Sequence, residues 1–258
     1  MRFASLGSGS EGNALLVEVR AGVVCSRVLL DCGFALKETE RRLARLEIPP
    51  ESLDAIVVTH EHSDHLSGVF RLARRHHIPV WSTHGTLRGT DARTFEGVQV
   101  HYCRPGAGFA VGNLSLMPYA VPHDAREPVQ YVFSDGSKRL GVLTDAGRCT
   151  THIVGMLDGC DALVLECNHD RQMLEKSNYP AALKLRIQGD FGHLANDVAA
   201  QILEAINRSR LNVVVAAHLS QNNNTPDLAR EALAKVLACQ PQDVLVADQH
   251  LGLDWMTV

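Results

Sequence analysis

Two features are scarce in this 258-residue sequence: aromatic side chains, at 5%, and long uninterrupted apolar runs. No stretch approaches the roughly 20 apolar residues that a membrane-spanning helix needs, which excludes a helical membrane protein. An excess of basic charge is also missing, because 25 basic and 29 acidic side chains give a net charge of −4. The bulk charge therefore lacks the signature of a nucleic-acid-binding protein. The hydrophobic fraction of 45% excludes a disordered chain.

Cysteine is present, but its pattern excludes two further classes. The seven cysteines are odd in number and no two have CxxC spacing, which argues against a disulfide framework and against a zinc knuckle. Residues 1–13 contain one arginine followed by glycine and serine, where a secretory signal would need an apolar stretch. We therefore expect a reduced, cytoplasmic protein. No repeat or linker divides the chain, so we expect one domain over residues 1–258, and no pattern indicates an oligomeric state.

Short β-branched runs alternate with stretches of helical spacing along the whole chain. Asp135-Gly136 between two apolar runs predicts a hairpin, and Thr225 followed by Pro226 predicts the start of a helix. The runs at 161–165 and 211–217 are continuously apolar, as in strands that are buried on both faces. This alternation predicts sheets covered by helices, in the α/β or α+β class. Further strands are predicted at 15–19, 23–30, 55–58, 98–102, 114–117, 131–133 and 139–143, and helices at 36–46, 66–76, 193–207 and 227–237.

Histidine is abundant, with 13 residues, and four potential metal ligands lie within six positions of one another. An apolar strand at 55–58 is followed by His60, His62, Asp64 and His65. His60 and His62 point to the same side of an extended chain, and Asp64 and His65 follow where the chain can turn into a helix. This geometry suits two adjacent metal sites, with the histidine pair at one ion and the Asp-His pair at the next. Imidazole and carboxylate ligands favour zinc, with manganese or nickel also feasible.

The spacing HxHxDH at His60-x-His62-x-Asp64-His65 resembles the signature of the metallo-β-lactamase superfamily. The resemblance implies an αββα sandwich with a dinuclear metal site at one edge of its two packed sheets. It also implies three further ligands, each at the end of a predicted strand. His123 completes the first metal site, Asp145 bridges both ions, and His218 completes the second site.

Other segments narrow the resemblance to the YycJ (WalJ) branch, whose members are small relatives of ribonuclease Z and ribonuclease J. They are residues 6–13, 29–33, 166–170, 192–196 and 218–223. Two positions depart from the pattern: Ala195 stands where serine is expected, and Ser177-Asn178 precede Tyr179-Pro180 where Gly-Pro is commoner. Neither departure removes a metal ligand. The branch implies a 5′-to-3′ DNA exonuclease, with DNA as the partner of the site.

A dinuclear site of this kind implies a specific reaction. Two divalent ions about 3.5–4 Å apart share a water and lower its pKa, and the resulting hydroxide attacks phosphorus in line. Asp64 therefore counts as a catalytic residue as well as a ligand. His193 is the candidate for the leaving-group proton and for one more contact to the phosphate, since it lies just before a predicted helix. The alternative for His193 is a surface histidine at a helix start.

For five more residues the sequence leaves two roles open. Asp31 and Glu166 end apolar strands and either accept hydrogen bonds from ligand imidazoles or cap turns. His169 follows Glu166 closely, and we expect it in a supporting or loop role. Asn222 and Asn223 either reach the substrate or brace the loop after His218. Two basic sets, at 37–45 and 71–75, place several charges on one helix face each, where they are either solvated or in contact with nucleic acid.

Three functions from different classes remain open. The first is a dinuclear metal-dependent phosphodiesterase, most simply a 5′-to-3′ DNA exonuclease. The second is a hydrolase of a small cyclic phosphodiester or of a thioester that uses the same metals. The third is a metal-binding regulator without catalysis, which the complete set of ligand positions disfavours.

Overall fold

The computed structural model describes residues 1–258. The chain forms nine α-helices: α1 (Leu36–Arg45), α2 (Ser63–Leu66), α3 (Val69–His76), α4 (His84–Arg88), α5 (Thr151–Leu157), α6 (Arg171–Lys176), α7 (Ala181–Gln188), α8 (Asn196–Ala205) and α9 (Pro226–Leu237). Fourteen strands complete the fold: β1 (Arg2–Gly7), β2 (Ala14–Ala21), β3 (Val24–Leu30), β4 (Ala55–Val57), β5 (Val80–Ser82), β6 (Val100–Tyr102), β7 (Phe109–Val111), β8 (Leu114–Ala120), β9 (Val129–Ser134), β10 (Arg139–Leu143), β11 (Ala162–Glu166), β12 (Val213–Ala217), β13 (Leu245–Val246) and β14 (Leu253–Thr257).

The strands form two sheets of seven with the same internal plan. The first has the order β14-β1-β2-β3-β4-β5-β6 and the second β13-β12-β11-β10-β9-β8-β7. In each sheet the antiparallel pairs lie on one side and the parallel pairs on the other. Because strands β3 to β6 run in parallel, their carboxyl ends meet at a common edge, and so do those of β10 to β13.

Three apolar clusters hold four layers together. Alternate side chains of the two sheets, such as Val17, Val57, Tyr131 and Val164, form the cluster between the sheets. The other face of the first sheet packs under α1 and α3, and the other face of the second under α5, α8 and α9. The expected αββα sandwich is therefore confirmed. No helix is long and apolar enough to cross a membrane.

The local signals with a defined geometry are confirmed. Strands β9 and β10 pair as a hairpin, with Ser134 opposite Arg139, and Gly136 takes the left-handed φ of +90° that this turn requires. Thr225 caps α9 by accepting a hydrogen bond from the Leu228 amide, and Pro226 occupies the first turn. The seven cysteines are unpaired.

Two helix predictions are wrong at their starts. The helix predicted at 66–76 is interrupted after Leu66, because the Gly68 amide donates to the Cys32 carbonyl and not to a carbonyl of the helix. The helix predicted at 193–207 begins only at Asn196. Ala195 before it is extended and forms a β-bridge with His169, whose carbonyl accepts from the Asn196 amide. His193 therefore precedes the helix and does not lie in its first turn.

Glu18 on β2 provides a test of the first sheet, away from any candidate site. Its side chain is fully buried and accepts hydrogen bonds from the Nε atoms of Arg2, Arg20 and Arg27 at 2.7, 2.9 and 2.7 Å. Burial raises the pKa of Glu18, but the three guanidinium groups outweigh it and lower the pKa to about 2. The ionised form therefore stabilises the folded state above the unfolded pKa near 4.5, and this stabilisation is lost as the pH falls toward 2.

We therefore expect Glu18→Gln to lower the free energy of unfolding by roughly 2 kcal/mol at pH 7, the order of a buried charged hydrogen-bond group. The difference from wild type should shrink as the pH falls below about 4.5. Urea denaturation at several pH values measures it, with Glu231→Gln on the exposed face of α9 as the control. A loss of equal size at every pH would contradict the role of the ionised carboxylate.

Candidate metal centre

The four residues of the HxHxDH segment lie where β4 ends and α2 begins. His60 and His62 occupy the loop after β4, and Asp64 and His65 belong to α2. A Cβ on Gly33 would overlap the Asp64 carbonyl, so only glycine allows the loop after β3 to lie against this turn. The remaining three expected ligands, His123, Asp145 and His218, follow the ends of β8, β10 and β12.

The structure brings all seven of these side chains together in two adjacent groups. In the first group the potential ligand atoms of His60, His62 and His123 lie within 4.8 Å of one another. In the second group the same limit holds for Asp64, His65 and His218. Within the groups, His62 Nδ1 lies 3.2 Å from His123 Nε2, and Asp64 Oδ2 lies 3.4 Å from His218 Nε2.

Asp145 lies between the two groups. Its Oδ2 is 3.1 Å from His65 Nε2 in one group, and its Oδ1 is 3.9 Å from His123 Nε2 in the other. Asp145, Asp31 and His218 also have left-handed φ values of 53°, 60° and 57°. This conformation is unfavourable for residues other than glycine, so the surrounding structure must hold these three in place. A single carboxylate thus faces both groups of imidazoles.

Hydrogen bonds determine which ring nitrogen is free in four of the five candidate histidine ligands. The Thr59 hydroxyl donates to Asp31 Oδ2, so it can only accept from His60 Nδ1, at 2.9 Å. His65 Nδ1 donates to Asp31 Oδ2 at 2.8 Å. His123 Nδ1 faces the Gly192 carbonyl at 3.0 Å and His218 Nδ1 faces Glu166 at 3.2 Å. In all four rings Nε2 is left free to bind an ion, as in other histidine metal sites.

Unpaired buried atoms and shifted pKa values also indicate that these residues can bind a divalent cation. His60 Nε2 and Asp145 Oδ2 are buried and make no hydrogen bond, a costly arrangement that a bound cation would relieve. Burial lowers the pKa of His60 well below its usual value, which keeps that ring neutral. Burial also lowers the pKa of His218, but Asp145 and the neighbouring carboxylates outweigh it and raise the pKa to about 10. In the absence of an ion this ring holds a proton that a cation would replace.

His193 and Glu166 lie beside the second group. Glu166 is buried and accepts from His193 Nδ1 at 2.8 Å, from the Ala146 amide at 2.9 Å and from the Leu194 amide at 3.2 Å. Burial lowers the pKa of His193, whereas the Glu166 carboxylate raises it, and the net result is a raised pKa. The His193 side chain is 21% exposed and lines the cleft in front of the ligands.

The other residues predicted from the sequence lie outside the two groups of candidate ligands. His169 is buried and its ring makes no hydrogen bond, and it belongs to neither group of ligands. Asn223 is buried, and its side chain donates to Ser220 Oγ inside the loop after His218. Asn222 instead donates to the Tyr179 hydroxyl at 2.9 Å, at the rim of the cleft.

Sequence reasoning assigned no role to several residues at the site. Asn13 Nδ2 lies 3.2 Å from His65 Nε2 and 3.3 Å from the Asp64 carbonyl. Ser8 Oγ accepts from the His218 amide at 2.9 Å. Both belong to the Gly-Ser-rich turn between β1 and β2, whose small residues were the available signal. Asp124 and Arg186 at the rim of the cleft were also missed, and their side-chain types alone offered no signal.

The two basic sets are largely occupied by contacts within the chain. Arg41 and Arg42 both pair with Glu38, and Arg42 also donates to the Leu6 and Gln249 carbonyls. Arg74 donates to the carbonyls of Thr94 and Glu96. These arginines stabilise the first sheet's helix layer and are not gathered at the cleft.

Comparison with known proteins places this site in a family. A family model described as a beta-lactamase superfamily domain matches residues 26–218. Exodeoxyribonuclease YycJ of Bacillus anthracis is 34% identical over 239 residues, which cover 92% of this chain and 89% of the relative. Exodeoxyribonuclease WalJ of Streptococcus pneumoniae serotype 2 (strain D39) is 31% identical over 258 residues, covering 98% and 92%.

A solved structure supports the same fold at lower identity. The metallo-beta-lactamase fold protein YhfI from Bacillus subtilis superposes with a TM-score of 0.75 at 16% identity, over 99% of each chain. The matches in sequence cover most of the chain and include every expected ligand position from His60 to His218. The chain therefore belongs to the beta-lactamase superfamily of metal-dependent hydrolases, in its YycJ/WalJ branch.

Proposed function

We propose that this protein is a metal-dependent DNA exonuclease that acts in the 5′-to-3′ direction and binds two divalent ions, zinc in first place. Two relatives that span most of the chain are named exodeoxyribonucleases, which supports the substrate class. Manganese and nickel are the alternative ions for a ligand set of imidazole and carboxylate. The net charge of −4 is compatible with a phosphate-rich substrate, because two divalent ions would offset it.

One observation supports this function more than any other: two groups of ligands share Asp145 at the floor of an open cleft. The cleft has a volume of about 330 Å³ and is lined only by polar residues, among them His62, Asp64, Asp145, His193 and His218. Such a polar, exposed cleft suits a charged backbone better than an apolar small molecule. When bound, the ions would activate water and offset the charge of the phosphate.

His193 supplies the leaving-group proton in this proposal. Glu166 holds the ring through Nδ1, so that Nε2 is available on the side of the cleft. The carboxylate of Glu166 also favours the imidazolium form, which can donate a proton from Nε2 to the departing oxygen. Asp31 and Thr59 act only indirectly, since they orient the rings of His65 and His60.

The proposal extends to the organisation of the chain. We infer that residues 1–258 work as one domain, because β1 near the start pairs with β14 near the end and the ligands come from both sheets. A cytoplasmic location belongs to the same proposal, since the seven cysteines are unpaired and the substrate is DNA.

The direct test compares substrates and end labels. Metal-loaded protein is incubated with single- and double-stranded DNA labelled at the 5′ or the 3′ end, with RNA, and with a cyclic dinucleotide. We expect release of mononucleotides from DNA, with the 5′ label released first, and no release by Asp64→Ala, which controls for a contaminating nuclease. Hydrolysis of the cyclic dinucleotide alone would contradict the proposal, and early release of the 3′ label would contradict its direction.

Removal of the metal should also be visible without any substrate. We expect dialysis against a chelator to lower the melting temperature and zinc to restore it, because an ion that binds only the folded state stabilises it by mass action. At a free zinc concentration about 100 times the dissociation constant the gain is about 2.7 kcal/mol. Differential scanning calorimetry measures the shift, and Asp145→Ala, which lacks the shared carboxylate, should show none. An unchanged melting temperature in wild type would contradict the predicted site.

A further inference from the structure

Helix α7 borders the metal cleft through one residue, Arg186, although the helix contributes nothing to the core. None of its residues from Ala181 to Gln188 is buried. Arg186 on this helix lines the cleft together with Asp64 and His193. It also lines a second, smaller cavity that continues from the cleft toward Tyr179. A helix that buries no side chain is free to present its polar groups to a ligand.

Arg186 has hydrogen-bonding capacity that nothing in the chain uses. Its Nε donates to Asp124 Oδ2 at 2.6 Å, and this is the only hydrogen bond of the side chain. Both terminal nitrogens are therefore without a partner in a side chain that is 58% exposed. A guanidinium presents a planar set of donors that matches the oxygens of a phosphate. Arg42 and Arg74, in contrast, bond to backbone carbonyls.

Asp124 determines how far Arg186 lies from the ligand atoms. One oxygen of its carboxylate holds Arg186, and the other lies 3.4 Å from His123 Nε2 and 3.8 Å from His62 Nε2. A carboxylate thus stands between the guanidinium and the first group of imidazoles. While it is bound to Asp124, Arg186 is separated from those imidazoles by this carboxylate. The Arg186 guanidinium is therefore placed for the next backbone phosphate of a polynucleotide.

The second cavity has room for such a group. Its volume is about 190 Å³, and Ser10, Asn168, Tyr179 and Ser220 line it beside Arg186. This space holds several water molecules, so a phosphate group also fits there. The hydroxyl and amide groups of the lining can donate to phosphate oxygens.

We propose that Arg186 and this cavity bind the backbone phosphate next to the scissile one, which makes Arg186 a specificity-determining residue for polynucleotides over isolated phosphodiesters. The proposal rests on the proposed function of the metal centre, which it deepens. Asp124 serves as the positioning residue that keeps the guanidinium at the border between the cleft and the cavity. The substrate class is a nucleic-acid strand with a phosphate on each side of a nucleoside.

The test compares Arg186→Gln with Arg171→Gln in the metal-loaded, full-length protein. Arg171 is a matched control, since it is 54% exposed, pairs with Asp197 at 2.9 Å and lines neither the cleft nor the cavity. Binding of a cleavage-resistant phosphorothioate oligothymidylate is followed by fluorescence anisotropy at several salt concentrations. We expect the dissociation constant of Arg186→Gln to rise roughly tenfold, the order of one charged hydrogen-bond contact. The salt dependence should fall by about 0.7 in logarithmic slope, as for one single-strand phosphate contact.

A second measurement separates the neighbouring phosphate from the scissile one. Hydrolysis of bis(p-nitrophenyl) phosphate, which has a single phosphate, should be unchanged in Arg186→Gln, while KM for an oligonucleotide rises. A neutral methylphosphonate at the linkage next to the scissile bond should raise the KM of wild type to that of Arg186→Gln. The same replacement should leave the KM of Arg186→Gln unchanged. Equal loss on both substrates, or oligonucleotide binding equal to wild type, would overturn the proposal. Failure of wild type to degrade DNA while binding still depends on Arg186 would overturn only the proposed function.

Discussion

Asp145→Ala is expected to remove both the bound metal and the hydrolytic activity, with activity falling by about a thousandfold or more because ion-assisted attack is lost. Asp145 is the carboxylate that faces both groups of imidazoles, at 3.1 Å from His65 Nε2 and 3.9 Å from His123 Nε2. Burial raises its pKa, but His218 and His65 outweigh burial and lower the pKa well below its usual value. Without this carboxylate the two groups share no side chain, and the first group consists of imidazoles only.

The measurement combines metal analysis with DNA degradation by the same preparation. Asp161→Asn is the matched control, since Asp161 is an equally buried carboxylate held by Lys138 and Arg210. Asp161 precedes β11, whereas Glu166 ends that strand at the site, so the control lies at the far end of the sheet. Circular dichroism verifies that both variants are folded. Full metal content in Asp145→Ala would show that this carboxylate is not a ligand.

His193→Ala is expected to lower kcat by about 10²- to 10⁴-fold, the usual range for loss of a general acid, with metal content unchanged. The ring is fixed through Nδ1 by Glu166 at 2.8 Å, which leaves Nε2 as the atom that meets the substrate. The effect should be much smaller on thymidine 5′-p-nitrophenyl phosphate, because p-nitrophenolate leaves without a proton. Steady-state kinetics on this ester and on DNA provide the comparison.

The control for this variant is another histidine paired with a glutamate. His76 Nε2 contacts Glu40 at 2.8 Å on the outer helix layer, so His76→Ala loses the same kind of pair far from the cleft. We expect His76→Ala to retain full activity on both substrates. If His193→Ala loses metal, His193 is a ligand. If it slows both substrates equally, His193 does not supply the leaving-group proton.

At some elements the sequence alone predicts the secondary structure, because local chemistry determines it. The β9–β10 turn needs a left-handed residue next to a tight reversal, and Asp135-Gly136 supplies it. The start of α9 needs a side-chain acceptor and tolerates proline, and Thr225-Pro226 supplies both. The buried parallel strands β11 and β12 are continuous apolar runs because both of their faces are covered. In each case the cause lies within a few residues of its effect.

Other elements depend on contacts that are distant in sequence. Strands β5, β7 and β13 are short and went unpredicted, and so did the longer β1 and β14, which pair with each other from opposite ends of the chain. Helix α7 buries no side chain, so it has no apolar stripe to detect. The delayed start of α8 results from Ala195, which is extended and forms a β-bridge with His169. Tertiary bonds of this kind leave no local signal.

The sequence by itself determined the types and spacing of the candidate metal ligands, because His60, His62, Asp64 and His65 lie together in one short HxHxDH segment. The resemblance to a family added His123, Asp145 and His218. Only the tertiary structure showed that four of the five rings use Nδ1 for a protein partner and keep Nε2 free, and that Asp145 faces both groups. It also revealed the unused donors of Arg186 beside Asp124. Such relations arise when chain segments far apart in sequence meet at one sheet edge, where distance and orientation decide what a side chain can do.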